Sequence, residues 1–527
     1  MSGKRSQHKK TIACVTCMEE QSTPLNPAPS RLIEWILFSI LVGISITGPL
    51  ADPDLWWHLT IGRWIVGHRE LPDSELWNRF GFGKPFVPYS WSFEIFVAVL
   101  EQLGELKGVL IAQIFLVAVI AIGIAWFFGR VAQDMFFGVL VAAVVTSGFV
   151  AQYTLRPQSI VWLLCASLVW LSLEIREKGL SSSRLLGVGV VMVLWANLHI
   201  TTIIGIAILV SLLFEQGTPR RWLLPLGVGL AATCCTPHLG YEWIVFFSKA
   251  DHPLGLRSVA EFGPGTILDY PIAILGTLVA LLLLLLHSAP RSIPLPLLLL
   301  AGVFTLGGLA VVKFLPFALI LVGYSVCSAW RHARRTAPHG FTRNLVEGLD
   351  RLYKLTSLFS GSGLNFLLLS AIVVKCHRIV TESPVAQTNV PEAAVDFMIK
   401  HNLPRPFMNT FGEGGYMMYR LSNKDGELVE EDRVNIDGRT NINDPAIMAA
   451  NQRALDGRLG WEGYLKRVDP GTILWRNRSP LVAILIASGE WCRVYANGSS
   501  EFGHSVFLRR ARAGLEGLPP CLMEPSK

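Results

Sequence analysis

The sequence predicts a mainly α-helical membrane protein: a polytopic bundle of about eleven transmembrane helices, followed by a C-terminal extracytoplasmic α/β domain. Apolar residues occupy 51% of the 527 positions and charged residues 16%, and the mean hydropathy is +0.44. Because a soluble domain carries about 25% charged residues, the composition excludes an ordinary soluble enzyme. It also excludes a disordered chain.

The distribution of charge divides the chain into two parts. Residues 376–527 contain 18 Lys/Arg and 18 Asp/Glu, whereas the first 375 residues contain 28 Lys/Arg and 21 Asp/Glu. The whole formal charge of +7 therefore lies in the first part. We expect residues 32–375 to form a membrane domain with a first outer loop over 51–106, and residues 376–527 to form one extracytoplasmic domain.

A helix that spans the hydrocarbon core needs about 20 mostly apolar residues. The weakest of the candidates, 185–197 and 200–214, are short and meet at Asn197-Leu198-His199, so they form either two half-helices or one broken helix. Polar breaks of this kind line cavities in membrane proteins. The candidate spans are 32–50, 107–128, 135–151, 158–174, 185–197, 200–214, 222–236, 271–288, 293–311, 314–330 and 356–375.

The positions of the basic residues indicate the orientation of these spans. Eighteen Lys and Arg residues fall in six segments (4–31, 130, 176–184, 220–221, 291 and 331–354) that simple alternation assigns to one side. Basic residues accumulate on the cytoplasmic side of membrane proteins. The N-terminus is therefore predicted to be cytoplasmic and the C-terminal domain extracytoplasmic, in a multi-pass protein of the inner (plasma) membrane.

Residues 1–31 are polar, basic and rich in Pro and Ser, which predicts a disordered cytoplasmic tail. Cys14 and Cys17 have zinc-ligand spacing, but no second pair lies nearby to complete a tetrahedral site. Residues 32–50 are expected to be an uncleaved anchor. In the extracytoplasmic part, a Cys492–Cys521 disulfide is one open alternative.

Polar residues gather on the outer side of the predicted spans. Acids, histidines, an arginine and a lysine reach this face from separate corners of the chain, which packing alone explains poorly. The candidate site residues are Asp52, Asp54, His58, Glu94, Arg156, Asn197, His199, His238, Glu261 and Lys313.

Each of these residues also has a structural interpretation. Asp52 and Asp54 are suited to cap the helix that follows them. Arg156 is suited to anchor the chain to lipid phosphate, and Lys313 to extend its amine to the membrane surface. A histidine at such a position, taken alone, is usually a buried residue with its hydrogen bonds satisfied. Five of the 16 Trp residues, at 56, 57, 64, 77 and 91, fit an interfacial aromatic belt.

Together, these residue types favour chemistry on a lipid phosphate. Carboxylates beside histidine either take a proton from a hydroxyl or bind a divalent cation such as Mg²⁺ or Mn²⁺. Asp52 and Asp54 are therefore candidate catalytic residues and, alternatively, candidate metal ligands. Arg and Lys at the interface suit a phosphate whose tail stays in the bilayer. We expect no nucleic-acid partner.

Residues 376–527 alternate between helical and strand-like stretches, which predicts a small α/β domain. Gly412-Glu-Gly-Gly415 lies between a strand and a helix, where it forms either an anion site or a plain tight turn. Asp437-Gly438-Arg439 ends a strand and faces the membrane site or merely closes a turn. Helices are expected at 391–402 and 414–421, and strands at 407–411, 433–437, 472–475, 491–495 and 505–508.

The segment Asp52-Pro-Asp-Leu-Trp-Trp-His58 resembles the first outer loop of the type-C (GT-C) glycosyltransferase superfamily. The chain resembles more closely a group of bacterial membrane proteins that share this loop, an RPQ corner, a WANLH break and an outer domain with GGY and DGR motifs. The matching segments here are Arg156–Gln158, Trp195–His199, Asn409–Tyr416 and Asp437–Arg439. The sequence departs from the group at Tyr89-Ser90-Trp91-Ser92, where His-Glu-Trp-Leu is frequent, and at Thr236-Pro237-His238, where Asn-Pro is usual.

This resemblance implies a reaction and a set of roles. In the superfamily a first-loop acid is a general base or metal ligand, the donor is usually a polyprenyl-phosphate sugar, and the outer domain helps present the acceptor. Asp54 or Asp52 would accordingly deprotonate an acceptor hydroxyl or hold a divalent ion. The departing lipid phosphate would be neutralised by Arg156, His199 and Lys313, with Glu94 and His58 in support.

The leading hypothesis is an integral membrane glycosyltransferase that moves a sugar from a polyprenyl-phosphate donor to a glycan, lipid or protein acceptor at the outer face. The first alternative is a non-catalytic translocator or assembly factor for a lipid-linked glycan. A transporter would show repeated halves, and the sequence contains no convincing repeat. The second alternative is a polymerase or ligase of cell-surface glycan, which differs in its donor.

Overall fold

The computed structural model describes residues 29–522 except 151, 216, 218, 251–262, 267–268, 289–292, 336–339, 388, 499–502 and 515–516. Three predictions lie outside these residues: the disordered tail over 1–28, the Cys14/Cys17 pair within it, and the position of Glu261.

Helices dominate the first 381 residues. Every predicted span coincides with a helix, although several boundaries differ from those expected. The helices are α1 Pro29–Ser45, α2 Pro53–His68, α3 Trp91–Ala132, α4 Met135–Ser147, α5 Pro157–Lys178, α6 Ser182–Leu198, α7 Thr202–Leu212, α8 Leu223–Thr233, α9 Glu242–Ala250, α10 Tyr270–Ser288, α11 Leu295–Ala310, α12 Leu315–Arg335, α13 Gly340–Leu358 and α14 Ser362–Thr381.

Within the described residues, five helices are long and apolar enough to cross a membrane: α3, α5, α10, α12 together with the short 3-10 turn Val312–Phe314 before it, and α14. In the same part of the chain, four shorter apolar helices, α4, α6, α7 and α11, occupy further predicted spans. The number of eleven spans stays a prediction. The last span begins later than expected, at Ser362 rather than 356, because α13 ends at Leu358 and Gly361 has a φ of 134°.

Two interruptions divide the helical region. The chain leaves helical geometry at His199, which separates α6 from α7 and favours the half-helix interpretation. Helix α3 is kinked at Gly104 and Glu105, where Glu105 has a φ of 53°. The kink divides α3 into an N-terminal part inside the first outer loop and an apolar part that contains the predicted span 107–128.

The C-terminal part is a small α/β domain, as predicted. Its helices are α15 Glu392–Lys400, α16 Gly414–Leu421, α17 Pro445–Leu455, α18 Trp461–Val468 and α19 Pro480–Ser488. Its strands are β1 Phe407–Met408, β2 Thr472–Arg476, β3 Trp491–Ala496 and β4 His504–Arg509. They form one sheet in the order β1-β2-β4-β3, with β1 parallel to β2 and the other pairs antiparallel.

The strand expected at 433–437 is wrong, and the strand expected at 407–411 is shortened to two residues. Val434 pairs with Asn78 of the first outer loop in an isolated bridge, so the backbone of this segment bonds to the loop rather than to the sheet. The open alternative of a Cys492–Cys521 disulfide is confirmed, and it joins β3 to the C-terminal segment.

The first outer loop packs against the C-terminal domain. Their apolar side chains form one cluster, in which the Trp56 ring lies 4.8 Å from that of Tyr416 in an edge-to-face contact. Trp56, Trp57 and Trp77 are buried there, so the aromatic-belt interpretation is wrong for these three residues. The packing brings the start of α2 and the start of α16 together.

Candidate active site

Asp52 occupies the N-cap of α2 and is nearly fully buried. Pro53 follows at the first helical position, where its fixed φ and missing N–H suit a helix start. Asp52 Oδ1 accepts a hydrogen bond from the Asp54 N–H at 2.9 Å. Its Oδ2 accepts from the Thr154 hydroxyl at 2.6 Å and from Arg156 Nε. The capping interpretation therefore holds for Asp52, which in addition fixes an arginine.

Asp54 lies one residue inside α2, and its side chain is 26% exposed. Its Oδ1 accepts a hydrogen bond from the Trp57 indole at 3.2 Å, and its Oδ2 lies 3.9 Å from Arg156 Nη2. A carboxylate in the first turn of a helix is favoured by the helix dipole. Asp54 is therefore a partly accessible carboxylate beside a buried acid–arginine pair.

Arg156 contacts one acid and faces the other because it lies in the connection between α4 and α5, directly before α5. Pro157 occupies the first position of α5 and holds Arg156 in an extended conformation at the N-cap. The guanidinium, which is buried, contacts Asp52 and faces Asp54. The structure thus brings together the two candidate catalytic acids, Asp52 and Asp54, and one of the predicted phosphate-binding residues, Arg156.

The C-terminal domain closes this site through the turn at 437–439. A Cβ added at Gly438 would lie 2.4 Å from Asp54 Oδ1 and 3.3 Å from Trp57 Nε1. A Cβ at Gly415 would lie 2.8 Å from the Pro53 carbonyl oxygen. Glycine at both positions lets the backbone of the outer domain approach the start of α2. The sequence left open whether the DGR turn faces the site, and the approach of Gly438 to Asp54 favours that alternative. Thr154 was not among the candidate site residues.

The DGR side chains themselves point into a buried network. Arg439 donates to both oxygens of Glu75, at 2.6 and 2.9 Å, and to both oxygens of Asp437, at 2.8 and 2.9 Å. Asn78 also donates to Asp437. Since Glu75 and Asn78 belong to the first outer loop, this network fastens the DGR turn to that loop and holds Gly438 against Asp54.

His58 and Glu94 form a buried pair behind the carboxylates. His58 Nδ1 lies 3.2 Å from Glu94 Oε1, and the imidazole lies 3.5 Å from the Trp57 ring. Burial is the main cause that lowers the pKa of His58 well below its ordinary value, and nearby His199 and Arg156 lower it further. The imidazole is accordingly neutral, and it keeps the indole that binds Asp54 in place.

Asn197 and His199 lie at the break between α6 and α7. Asn197 accepts from the Trp91 indole at 3.0 Å and donates to the Cys235 carbonyl at 2.9 Å, so it ties the start of α3 to the end of α8. His199 Nδ1 accepts from the Thr201 N–H at 3.2 Å. Both residues stabilise the break through these bonds.

His238 and Lys313 lie in two other connections between helices, α8–α9 and α11–α12. His238 lies 3.5 Å from Glu242, which in turn accepts from Thr236, beside an apolar cavity at the start of α7. Lys313 belongs to the short turn Val312–Phe314, whose Val312 carbonyl accepts from Gln152 at 3.2 Å. This bond links the Lys313 turn to the corner that carries Arg156.

The described residues do not fit a divalent cation held jointly by Asp52 and Asp54. Each oxygen of Asp52 already accepts at least one hydrogen bond, and the Arg156 guanidinium stands beside both carboxylates. Within the described ranges, no group of three or more His, Cys, Asp and Glu side chains is arranged to hold a metal. Hard cations need several oxygen ligands, which the described residues do not supply here. No metal-dependent reaction step is therefore proposed.

No protein-family model and no curated protein matches the sequence. Among solved structures, the chain is similar to the archaeal oligosaccharyltransferase AglB from Archaeoglobus fulgidus in complex with an inhibitory peptide and a dolichol-phosphate. The TM-score is 0.52 at 10% identity, over 92% of this chain and 75% of that chain. The Archaeoglobus fulgidus enzyme tethered to an acceptor peptide gives 0.49 at 12% identity, over 90% and 74%.

AglB is a member of the GT-C superfamily. The chain therefore has an oligosaccharyltransferase-like fold with several helices long and apolar enough to cross a membrane, which agrees with the predicted multi-span helical bundle. Membership of the GT-C superfamily stays a prediction. The narrower resemblance to a bacterial group with shared motifs stays a prediction.

Proposed function

We propose that the protein transfers a sugar from a polyprenyl-phosphate-linked donor to an acceptor hydroxyl at the outer face of the membrane. The observation that carries the proposal is the partly exposed Asp54 carboxylate, bounded by Arg156 on one side and by the Gly438 backbone on the other. It lies where the helical bundle meets the outer domain. A lipid-borne donor and a polar acceptor would meet at the same boundary.

The proposed reaction is a displacement at the anomeric carbon. The acceptor oxygen forms a bond to that carbon, the bond between the carbon and the phosphate oxygen breaks, and the hydroxyl proton passes to Asp54. Polyprenyl phosphate leaves with one more negative charge than the phosphodiester of the donor. A general base of this kind contributes about 10²–10⁴-fold to the rate.

Positive groups compensate the charge that develops on the leaving phosphate. Arg156 and Lys313 carry this role in the proposal, with His199 beside them. His58 and Glu94 support the Trp57 indole that binds Asp54. The remaining candidate substrate-binding residues are Asn197, His238 and Glu261.

Two observations support the assigned location and partners. The Cys492–Cys521 disulfide fits an extracytoplasmic C-terminal domain, because disulfides persist in oxidising compartments. The similar AglB structure contains a dolichol-phosphate and a peptide, which supports a lipid phosphate and a polymeric acceptor as partners. The plasma membrane and the cytoplasmic N-terminus are part of the proposal.

The lipid-linked sugar pool of a deletion strain tests the proposal. We expect a polyprenyl-phosphate sugar to accumulate in the deletion strain, to clear with the wild-type gene, and to persist with Asp54→Asn. Asp73→Asn, which changes an exposed acid of the same loop, is the matched control and should clear the pool.

The same experiment separates the alternatives. If wild type and Asp54→Asn restore the same pool, the carboxylate is structural and a binder or translocator becomes the better hypothesis. The mass of an accumulated species distinguishes a single sugar from the longer chain that a polymerase or ligase would consume.

A further inference from the structure

The Arg156 guanidinium lies between the two carboxylates that sequence reasoning offered as metal ligands. Its Nε contacts Asp52, and its Nη2 lies 3.9 Å from Asp54 Oδ2. An ion bridging Asp52 and Asp54 would need the same space. A guanidinium and a divalent cation at this distance from each other would also repel strongly.

The surroundings of Arg156 hold it in this position. Thr154 donates at 2.6 Å to the same Asp52 oxygen that Arg156 contacts, while the other oxygen of Asp52 accepts the Asp54 N–H. Asp52 and Arg156 are buried, and Thr154 is partly buried. Removing an ion pair of this kind from water is costly unless its hydrogen bonds are satisfied, and those of Asp52 are.

We propose that Arg156 is the resident cation of the site and takes the place that a divalent metal ion would fill. Asp52 and Thr154 are its positioning residues, and Asp54 is the carboxylate that it faces. The inference rests on the proposed function for its ligand, a lipid phosphate. It adds that binding of this ligand requires no divalent ion.

Arginine is suited to this position for a geometric reason. Its planar fork contacts Asp52 through Nε while presenting Nη2 toward Asp54. A lysine ammonium is a single point charge and cannot hold one carboxylate while extending toward a second in a fixed plane. We therefore expect Arg156→Lys to keep the positive charge but to lose part of the phosphate affinity.

Metal binding by the purified full-length protein in nanodiscs tests the inference directly. We expect wild type to bind no stoichiometric Mn²⁺ in electron paramagnetic resonance titrations, and its affinity for polyprenyl phosphate to be unchanged by EDTA. In Arg156→Ala, the uncovered carboxylates should bind Mn²⁺ at least about tenfold more tightly than wild type. Asp54→Asn in the Arg156→Ala background should abolish that gain.

Polyprenyl phosphate provides the second readout. Arg156→Ala should bind it about tenfold or more weakly, and added Mn²⁺ should restore part of the affinity. Arg156→Lys, which keeps a buried cation beside Asp52, is the control for folding and should gain no Mn²⁺ site.

Three results would overturn the inference. They are one Mn²⁺ per wild-type chain that Asp54→Asn removes, a loss of phosphate affinity in wild type on adding EDTA, and a folded Arg156→Ala protein that gains no Mn²⁺. The Mn²⁺ stoichiometry and the effect of EDTA, both measured on the wild-type protein, test the inference even if Arg156→Ala does not fold. Because Mn²⁺ binding needs no sugar transfer, the proposed function can fail in the deletion strain while this inference stands.

Discussion

Two clusters of the same composition, each two acids and one arginine, differ in how completely the protein encloses them. Glu75, Asp437 and Arg439 join the first outer loop to the outer domain, and all three side chains are at most 1% exposed. In the cluster of Asp52, Asp54 and Arg156, Asp54 is 26% exposed. The closed cluster joins two parts of the fold, and the open cluster retains a partly exposed carboxylate.

Hydrogen bonding shows the same difference. Both oxygens of Asp437 accept from Arg439, and Asn78 and the Arg439 N–H add further bonds. Burial alone would raise the pKa of Asp437, but Arg439 outweighs burial and holds the pKa below its ordinary value. Two acid–arginine clusters of the same composition therefore differ in whether one acid stays accessible.

The largest expected effect is on stability in the closed cluster. Asp437→Asn places an amide N–H donor against the donors of Arg439, so we expect a loss of about 3–5 kcal/mol in the free energy of unfolding. Asp54→Asn should cost less than about 1 kcal/mol, because a partly exposed pair contributes little. Denaturant unfolding in detergent micelles measures both.

Asp469→Asn is the matched control for these two variants. Asp469 pairs with Arg509 at 2.9 Å, and its side chain is 79% exposed, so its change should stay within about 0.5 kcal/mol. Equal destabilisation by Asp54→Asn and Asp437→Asn would contradict the distinction between the clusters.

A third acid–arginine cluster lies in the C-terminal domain, and it extends the comparison to the pH dependence of stability. Glu413 is fully buried and contacts Arg476 and His504. Burial opposes ionisation, but Arg476 and His504 outweigh it and lower the pKa of Glu413 from 4.5 to about 2. Since the folded pKa is the lower one, the stabilisation is present above about pH 4.5 and is lost as pH falls toward 2.

We expect the wild-type free energy of unfolding to fall by up to about 3 kcal/mol over this acid range through Glu413. Glu413→Gln should flatten that slope, whereas Glu430→Gln, which alters an 85% exposed side chain, should follow the wild-type profile. Identical acid profiles for wild type and Glu413→Gln would show that the carboxylate is not stabilised by its partners.

The sequence predicted those helices and strands that depend on the local pattern of residues. Apolar length alone located the helices α10 and α11, and short strand-like stretches located β2, β3 and β4. The strand expected at 433–437 failed because Val434 pairs with Asn78, a contact far away along the chain. The burial of Trp56 and Trp77 against the outer domain was missed for the same reason.

The candidate site was predictable only as a set of residues on one side of the membrane. Alternation of the spans brought Asp54 and Arg156 to the same boundary, but it could not distinguish the enclosed Asp52 from the exposed Asp54. That distinction depends on Thr154 and on Gly438, which comes from the outer domain. Sequence periodicity contains no information on such contacts between distant segments.

The smallest effect expected here connects the two clusters. Gly438 lies between Asp437 and Arg439 of the closed cluster, and a Cβ added there would approach Asp54 Oδ1 to 2.4 Å. Asp54 would have to turn away from Trp57. We expect Gly438→Ala to lower sugar transfer about tenfold, which corresponds to about 1.4 kcal/mol, with little change in unfolding. The rate of clearance of the lipid-linked pool measures this effect.

Variants at two other glycines serve as controls for this prediction. Gly463 lies in α18, and a Cβ there would meet no described atom within 4 Å, so Gly463→Ala should leave both clearance and stability unimpaired. A Cβ at Gly414 would lie 1.9 Å from the Ile436 carbonyl oxygen, so Gly414→Ala should destabilise the fold itself. If Gly438→Ala matches Gly463→Ala in clearance, the DGR turn does not position Asp54. If it matches Gly414→Ala in unfolding, the turn belongs to the closed cluster alone.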